Sequence, residues 1–215
     1  MAVPEFILRL RAKIGHDPLW LIGCTAVVVR EHGPDAATRA DAEAAAAQTG
    51  TAAAASAPRV GRGLRAVDRE AWSAADASPD AAELDVLLVR RSDDGLWAPV
   101  TGVVDPGEHP ATAAVRETLE EARITAEVER LAQVHVTDEV VHPNGDIAQY
   151  TGLVFRCRYA AGEAGAGDDE STDARWWPAA SLPPMREVHR QAIRAALGDD
   201  PLCELRDGDA VLPVR

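Results

Sequence analysis

Short apolar runs along the chain predict a series of β-strands. The segments LWLIGCTAVVVR (19–30) and LDVLLVRR (84–91) are rich in β-branched and aliphatic residues and are bounded by turn-forming residues. LWAPVTG (96–102) follows the turn SDDG and predicts a further strand. Later segments of the same character predict strands within 124–141, 148–160 and 174–179.

Other segments carry apolar residues at helical spacing. Near the amino terminus, Phe6, Leu10 and Ile14 lie four residues apart, which predicts a short helix that packs on the rest of the chain. Segment 110–122 begins with a proline, which the first turn of a helix accepts, and 184–197 predicts a closing helix. Strands with interspersed helices predict an α/β or α+β sandwich.

The stretch 31–82 breaks this pattern. Its segment AATRADAEAAAAQTGTAAAASAP is of low complexity and rich in alanine. Such side chains bury little apolar surface to offset the entropy that the backbone loses on ordering. We therefore predict a mobile insertion between two strands that carries no chemistry.

Length and charge limit the classes of protein that fit. The chain has 215 residues, 47% of them hydrophobic, which predicts a single domain over 1–215 with an amino-terminal helix and the insertion. The formal net charge of −13 argues against binding of a nucleic acid polymer, which normally needs a basic patch. It leaves open a nucleotide substrate whose phosphates are neutralised by metal ions.

The chain lacks the patterns of a secreted or membrane protein. Cys24, Cys157 and Cys203 are too widely spaced for a disulfide framework or a zinc site. No apolar run reaches the ~18 residues of a membrane-spanning helix. Because the amino-terminal segment is charged where a signal peptide is apolar, we expect a cytoplasmic protein with no membrane partner.

One side of the predicted helix 110–122 is expected to face the core. Val115, Leu119 and Ala122 lie at i, i+4 and i+7, which predicts an apolar stripe. The other sides of the helix are then available for polar chemistry.

Three carboxylates crowd one of those sides. Glu117, Glu120 and Glu121 are three and four residues apart, so they share a face of the helix, and Arg116 is placed to pair with Glu120. Carboxylates that converge repel each other unless a cation lies between them. The cluster is either a metal site or a solvated helix face.

The spacing of the flanking residues favours the metal site. Gly102 precedes Glu108 by six residues, and Glu108 precedes the pair Arg116 and Glu117 by eight and nine. This pattern resembles the signature of the Nudix hydrolase family, G-x5-E-x7-R-E-U-x-E-E-x-G-U, in which U is aliphatic. Six glycine or charged positions match, and at ~7% usage for each residue a chance match at one start is on the order of one in ten million. The resembling segment ends at Ile124.

Two positions depart from the signature. Thr118 stands at an aliphatic position, and Arg123 stands where the final glycine is expected. A glycine after a helix commonly takes a left-handed conformation, which costs another residue roughly 1 kcal/mol. We expect this cost to be absorbed and the preceding glutamates to stay in place.

The resemblance implies a fold and a reaction. The fold is an α/β/α sandwich around a mixed β-sheet, and the reaction is Mg²⁺-dependent cleavage of a phosphoanhydride in a nucleoside diphosphate linked to another group. Mg²⁺ prefers hard oxygen ligands and withdraws charge from a bound phosphate, and Mn²⁺ is an alternative. Carried over to this chain, the metal ligands are Glu117, Glu120 and Glu121, the last two also being catalytic.

The resemblance also assigns supporting roles. Arg116 is a catalytic-site residue that holds the glutamates by charged hydrogen bonds, Glu108 belongs to the motif, and Gly102 lets the backbone approach the site. A further acid often comes from a loop before a tryptophan-bearing strand, which makes Glu170 a candidate for an extra ligand or general base. The alternative for Glu170 is that it solvates the loop.

Candidates for substrate contacts are aromatic or imidazole side chains. Trp97, Tyr150 and Trp177 could stack on a base, although each could equally be a core or rim residue. His135 and His142 could act as a base or as polar contacts, or be structural.

Several alternatives stay open. The substrate is a small nucleotide derivative, either a nucleoside triphosphate or a nucleoside diphosphate sugar such as ADP-ribose. The chain could instead be a degenerate Nudix module that binds a nucleotide or a protein without turnover, or an unrelated interaction domain with an acidic helix. A homodimer is a further expectation, with the amino-terminal helix as one candidate contact.

Overall fold

The computed structural model describes residues 3–38, 41, 44, 80–142 and 144–213. Most of the predicted insertion, including nearly all of its alanine-rich segment, lies outside the described residues. The predicted mobility of that insertion therefore stays a prediction.

The described residues form three α-helices and ten strands. The helices are α1 (Glu5–Ile14), α2 (Pro110–Ala122) and α3 (Glu187–Leu197), with a 3₁₀ turn at Asp80–Glu83. The strands are β1 (Leu19–Glu31), β2 (Leu84–Arg91), β3 (Trp97–Ala98), β4 (Val100–Val103), β5 (Ile124–Val136), β6 (Val140–Val141), β7 (Ile147–Gly162), β8 (Ser171–Pro178), β9 (Glu204–Asp207) and β10 (Ala210–Val211).

The strands form one mixed sheet around β1. Strand β1 runs parallel to β7 and antiparallel to both β2 and β4. Beyond these neighbours, β5 pairs antiparallel with β7, and β8 pairs antiparallel with β2. Strands β9 and β10 extend the sheet beyond β5. The two were not predicted from the sequence, and both are short and mostly exposed.

Helices cover both faces of the sheet. Along β1, Ala26 and Val28 point into the cluster that contains buried alanines of α2, whereas Val27 and Val29 point into the cluster that contains Ile193 of α3. Successive side chains of a strand face opposite sides, so a strand covered on both sides is apolar at every position. This architecture confirms the predicted mixed α and β fold and gives the expected α/β/α sandwich.

The amino-terminal helix packs differently from the prediction. Ile7 is its buried residue and contacts Leu21 and Ala148 in a small cluster, with Phe6 partly buried beside them. Leu10 and Ile14 are instead exposed, at 39% and 36% of their surface. The predicted stripe was wrong at these two positions, because the end of the helix contacts β7 through Arg11, whose Nη2 donates to the carbonyl of Ile147 at 2.7 Å, and not through these apolar side chains.

Within the described ranges, the longest helices fall short of the length and apolar character needed to cross a membrane.

Candidate active site

Helix α2 is fixed at its start and along one side. His109 precedes the helix and its Nδ1 accepts a hydrogen bond from the backbone N–H of Ala111 at 3.2 Å. The buried side of α2 consists of small residues together with Thr118 and Glu121. The predicted core stripe was wrong at Leu119, which is 54% exposed. Thr118 is buried in place of Leu119, and the Thr118 hydroxyl donates to the carbonyl of Ala114 at 2.7 Å.

Arg116 connects three glutamates. Its Nε and Nη2 donate to the two carboxylate oxygens of Glu108, both at 2.9 Å. Its Nη1 donates to Glu117 and to Glu120, again at 2.9 Å in each case. A guanidinium offers five donors in a rigid plane, so one side chain can orient several carboxylates. Hydrogen bonding from Arg116 lowers the pKa of Glu108, which therefore stays charged.

The close approach expected at Gly102 is present. Strand β4 carries Gly102 against the side chain of Glu117, and a methyl group placed on Gly102 would overlap that carboxylate and its neighbouring carbon. Only glycine leaves this space free. The glutamate is thus held between the strand and Arg116.

Two of the glutamates lie in a poorly solvated place. Burial, followed by the charge of Glu117, raises the pKa of Glu121 to about 8, and its side chain accepts a hydrogen bond from the Ser171 hydroxyl at 3.2 Å. Burial also raises the pKa of Glu117 to about 7, against the opposing effect of Arg116. A desolvated carboxylate beside another carboxylate is favoured only when protonated or when a cation binds.

Glu170 is brought to this pair from the loop before β8. Its charge raises the pKa of both Glu117 and Glu121. The loop closes on the end of α2, since the backbone N–H of Gly167 donates to the carbonyl of Glu121 at 2.9 Å. A methyl group on Gly167 would overlap the carbonyl of Glu120. This contact places the predicted extra acid beside the helix.

Arg123 ends α2 without moving the glutamates. It has φ 59° and ψ 24°, the left-handed conformation of the glycine that it replaces, and its N–H is bonded to the carbonyl of Leu119. Among the described residues it alone combines a side chain with a positive φ. The helix continues in regular form to Ala122, so the glutamates before Arg123 lie on regular helix, as expected.

A cleft of about 570 Å³ opens in front of these residues. This volume falls in the range of roughly 300–1,000 Å³ that holds a nucleotide-sized ligand. Glu117, Glu120 and Glu170 line the cleft, and Tyr150 lines it from β7. Glu121 does not line it, since only 5% of its surface is exposed.

Trp97 does not line the cleft. It is 7% exposed and its ring packs edge-on against Trp177 in the core, with 5.0 Å between the ring centres. The prediction of a substrate contact was wrong for Trp97, because β3 turns this side chain toward α3 and away from the cleft. Trp177 of β8 is 1% exposed and is likewise a core residue.

Arg91 is a cleft residue that the sequence did not single out. It lies at the end of β2, donates to Thr101 at 3.4 Å and pairs with Asp93 at 2.7 Å. Its charge favours the ionised form of Glu121. The only signal in the sequence was a pair of arginines at a strand end, of which Arg90 bonds a nearby backbone carbonyl instead.

The donors present fit a hard divalent cation. Glu117, Glu121 and Glu170 offer carboxylate oxygens only, the ligands that Mg²⁺ prefers, and their mutual repulsion is relieved by a positive charge. In the part of the chain that the structure describes, no three acidic, histidine or cysteine side chains already form a closed metal-binding group. The fit therefore rests on the chemistry of the donors.

Comparisons with known proteins place this site in a family. The model of the NUDIX domain matches residues 70–196. A MutT-like protein from Streptomyces ambofaciens is 33% identical over 130 residues, covering 60% of this chain and 79% of that protein. The NAD-capped RNA hydrolase NudC of Pseudomonas syringae pv. tomato is 30% identical over 120 residues, covering 54% of this chain and 40% of that protein.

Solved structures that resemble this chain include an ADP-ribose pyrophosphatase from Streptococcus suis, with a TM-score of 0.46 and 16% identity over 87% of this chain and 98% of that chain.

The family match spans more than half of the chain and includes the whole motif from Gly102 to Ile124. The chain therefore belongs to the Nudix family of hydrolases, enzymes that act on pyrophosphate bonds.

Proposed function

We propose that this protein is a Mg²⁺-dependent pyrophosphohydrolase that cleaves a phosphoanhydride of a nucleoside diphosphate linked to another group. Nudix hydrolases generally use a divalent metal. The observation that carries the proposal is the convergence of carboxylates at the cleft: Arg116 donates to Glu117 and Glu120 at 2.9 Å, and the loop that bears Glu170 is hydrogen-bonded to the carbonyl of Glu121. Such a set of carboxylates is stable and charged at neutral pH only with a cation bound.

Each residue of the site then has a defined task. Glu117, Glu120 and Glu121 hold the metal, and Arg116 keeps two of these side chains in position through its Nη1. When bound, the metal neutralises the phosphates and lowers the pKa of a water molecule. Arg91 supplies a positive charge at the cleft where negative charge develops on the phosphoryl group.

Glu170 acts as a further metal ligand or as the general base that takes a proton from the attacking water. Both roles agree with its place in the cleft beside Glu117 and Glu121. The variant Glu170→Gln separates them. Loss of a ligand weakens Mn²⁺ binding measured by electron paramagnetic resonance, whereas loss of a base leaves Mn²⁺ binding intact and removes the low-pH limb of the kcat profile.

The substrate is a small nucleotide derivative, with a nucleoside triphosphate and a nucleoside diphosphate sugar as the two classes to test. The NudC relative is named for NAD-capped RNA, so a short NAD-capped RNA is added to the compounds to test. Tyr150 lies in the cleft and is the aromatic residue available for contact with the substrate.

A panel of substrates with Mg²⁺ or Mn²⁺ tests the proposal. It contains ATP, dGTP, ADP-ribose, UDP-glucose and a short NAD-capped RNA, and formation of a nucleoside monophosphate is measured by chromatography. We expect turnover of at least one compound and a loss of at least roughly a hundredfold in kcat for Glu121→Gln. The exposed Glu163 gives the matched control Glu163→Gln, which should keep full activity.

Two results would contradict the proposal. Failure to hydrolyse every compound with either metal would leave a binding module without turnover. Unchanged turnover in Glu121→Gln would remove the assignment of this residue as a metal ligand.

A further inference from the structure

The floor of the cleft carries a row of residues that face the same side of the sheet. His135 of β5 is in register with Gly152 of β7, and Gly152 is in register with Gly23 of β1. Residues in register on neighbouring strands point to the same face. Two adjacent glycines therefore leave the middle of this row without side chains, and all three residues line the cleft.

The imidazole of His135 fills one of the two spaces. A methyl group on Gly152 would overlap the ring of His135, so this ring lies over the glycine. A methyl group on Gly23 would contact the Gly102 carbonyl and the Tyr150 ring at 3.7 Å, an ordinary contact distance, so Tyr150 borders this glycine. His135 and Tyr150 thus line neighbouring parts of the cleft.

That imidazole has unused hydrogen-bonding capacity. Its Nδ1 is buried and has no hydrogen-bond partner among the described residues. Burial, and then the charge of Arg206, lowers the pKa of His135, so the ring is neutral at pH 7 and carries one donor and one acceptor. Buried polar groups without a partner are rare and costly, so each one calls for a partner such as a water molecule, an ion or a ligand.

The surroundings of His135 are polar, and Arg206 of β9 is in register beside it. His142 is hydrogen-bonded to the Tyr150 hydroxyl at 3.0 Å, and the two rings lie edge to face. Burial lowers the pKa of His142 and brings that of His189 to about 3, so both rings are neutral at pH 7. This wall suits a planar, neutral, hydrogen-bonding group.

The arginines near this wall do not make it an anion site. Arg186 donates to Asp94, and the charge of Arg91 acts on Glu121, at the carboxylate side of the cleft. Phosphates are accounted for at the carboxylate side of the cleft by the proposed metal site. The remaining part of a nucleotide that matches the floor is its base.

We propose that His135, whose ring lies over Gly152, is a specificity-determining residue that hydrogen-bonds the nucleobase of the substrate in the cleft. This inference rests on the proposed function for the class of ligand. It concerns binding of the base, however, so it can be tested without any turnover.

The probes are the four nucleoside 5′-monophosphates, which contain no anhydride to hydrolyse, with ribose 5-phosphate as the base-free control. Binding is measured with Mg²⁺ present by calorimetry and by the ¹⁵N chemical shifts of the histidine rings. We expect at least one nucleotide to shift the ring signals of His135 and to bind about tenfold more tightly than ribose 5-phosphate.

Three variants separate a contact from a structural role. His135→Ala should weaken binding of that nucleotide about tenfold without changing the affinity for ribose 5-phosphate, and His135→Asn, which keeps a polar atom near Nδ1, should restore part of it. Gly152→Ala keeps His135 but displaces its ring, so it should weaken binding like His135→Ala. Gly165→Ala is the control, since a methyl group there meets no atom within 4 Å.

Three outcomes would overturn the inference: His135 signals that stay unshifted with every nucleotide, equal nucleotide affinity in His135→Ala and wild type, or ribose 5-phosphate binding as tightly as the nucleotides. Absence of turnover on the substrate panel, together with base-dependent binding through His135, would refute the proposed hydrolysis and support this contact.

Discussion

Replacement of Glu121 by glutamine should stabilise the metal-free protein at neutral and alkaline pH. Glu121 is 5% exposed, and its carboxyl pKa is raised from 4.5 to about 8. The folded state therefore keeps a proton that the unfolded chain releases above pH 4.5. Stability is lost as the pH rises from about 4.5 to about 8, because folding then has to desolvate a charge or bind a proton.

The size of the effect follows from this shift. Each pH unit above 4.5 costs roughly 1.4 kcal/mol up to the raised pKa, which amounts to roughly 3 kcal/mol at pH 7. Glutamine keeps the shape and can still accept the hydrogen bond from Ser171, but it carries no charge to desolvate.

Urea unfolding in EDTA at pH 5 and pH 8, followed by tryptophan fluorescence, measures the effect. Wild type should be less stable at pH 8 than Glu121→Gln, and the two should converge at pH 5. Mg²⁺ should stabilise wild type at pH 8 by mass action and the variant much less. The exposed control Glu163→Gln should follow wild type throughout. Equal stability of wild type and Glu121→Gln at pH 8 would refute the presence of a buried carboxyl group with a raised pKa at this position.

Three further substitutions test the geometry around α2. Arg116→Lys should lower kcat roughly 10–100-fold, because the three donors of an ammonium lie on one atom and cannot reproduce the four hydrogen bonds that three guanidinium nitrogens make to the glutamates, and steady-state kinetics with a circular dichroism check of folding would show this. Gly102→Ala should displace Glu117 and abolish metal-dependent turnover while Gly165→Ala does not, and retained activity would contradict the contact. Arg123→Gly should raise the free energy of unfolding by up to about 1 kcal/mol with kcat unchanged, since glycine takes φ 59° without strain; a lower stability in urea titrations would count against it.

Much of the site could be predicted because its spacing is local. Glu117, Glu120 and Glu121 belong to one helix, and helical geometry alone places Arg116 beside them. The glycine that admits Glu117 lies in the strand just before, within the same motif. Such short-range relations can be predicted directly from the spacing of residues in the sequence.

The buried side of that helix could not be predicted in the same way. Leu119 is the more apolar residue, yet the sheet and the loop before β8 cover Thr118 and Glu121 instead. The buried face of the helix is the one on which the neighbouring elements pack. Hydrophobicity does not select that face when most of its residues are alanines.

The amino-acid sequence by itself determined most of the strands, the main helices and the acidic motif, because periodicity and spacing act over a few residues. Only the tertiary structure decided that Trp97 belongs to the core, that Arg91 reaches the cleft, and that His135 lies over Gly152. Those positions depend on strand register between segments far apart in the chain. Register is a property of the assembled sheet, in which a shift of one residue would turn each of these side chains to the opposite face.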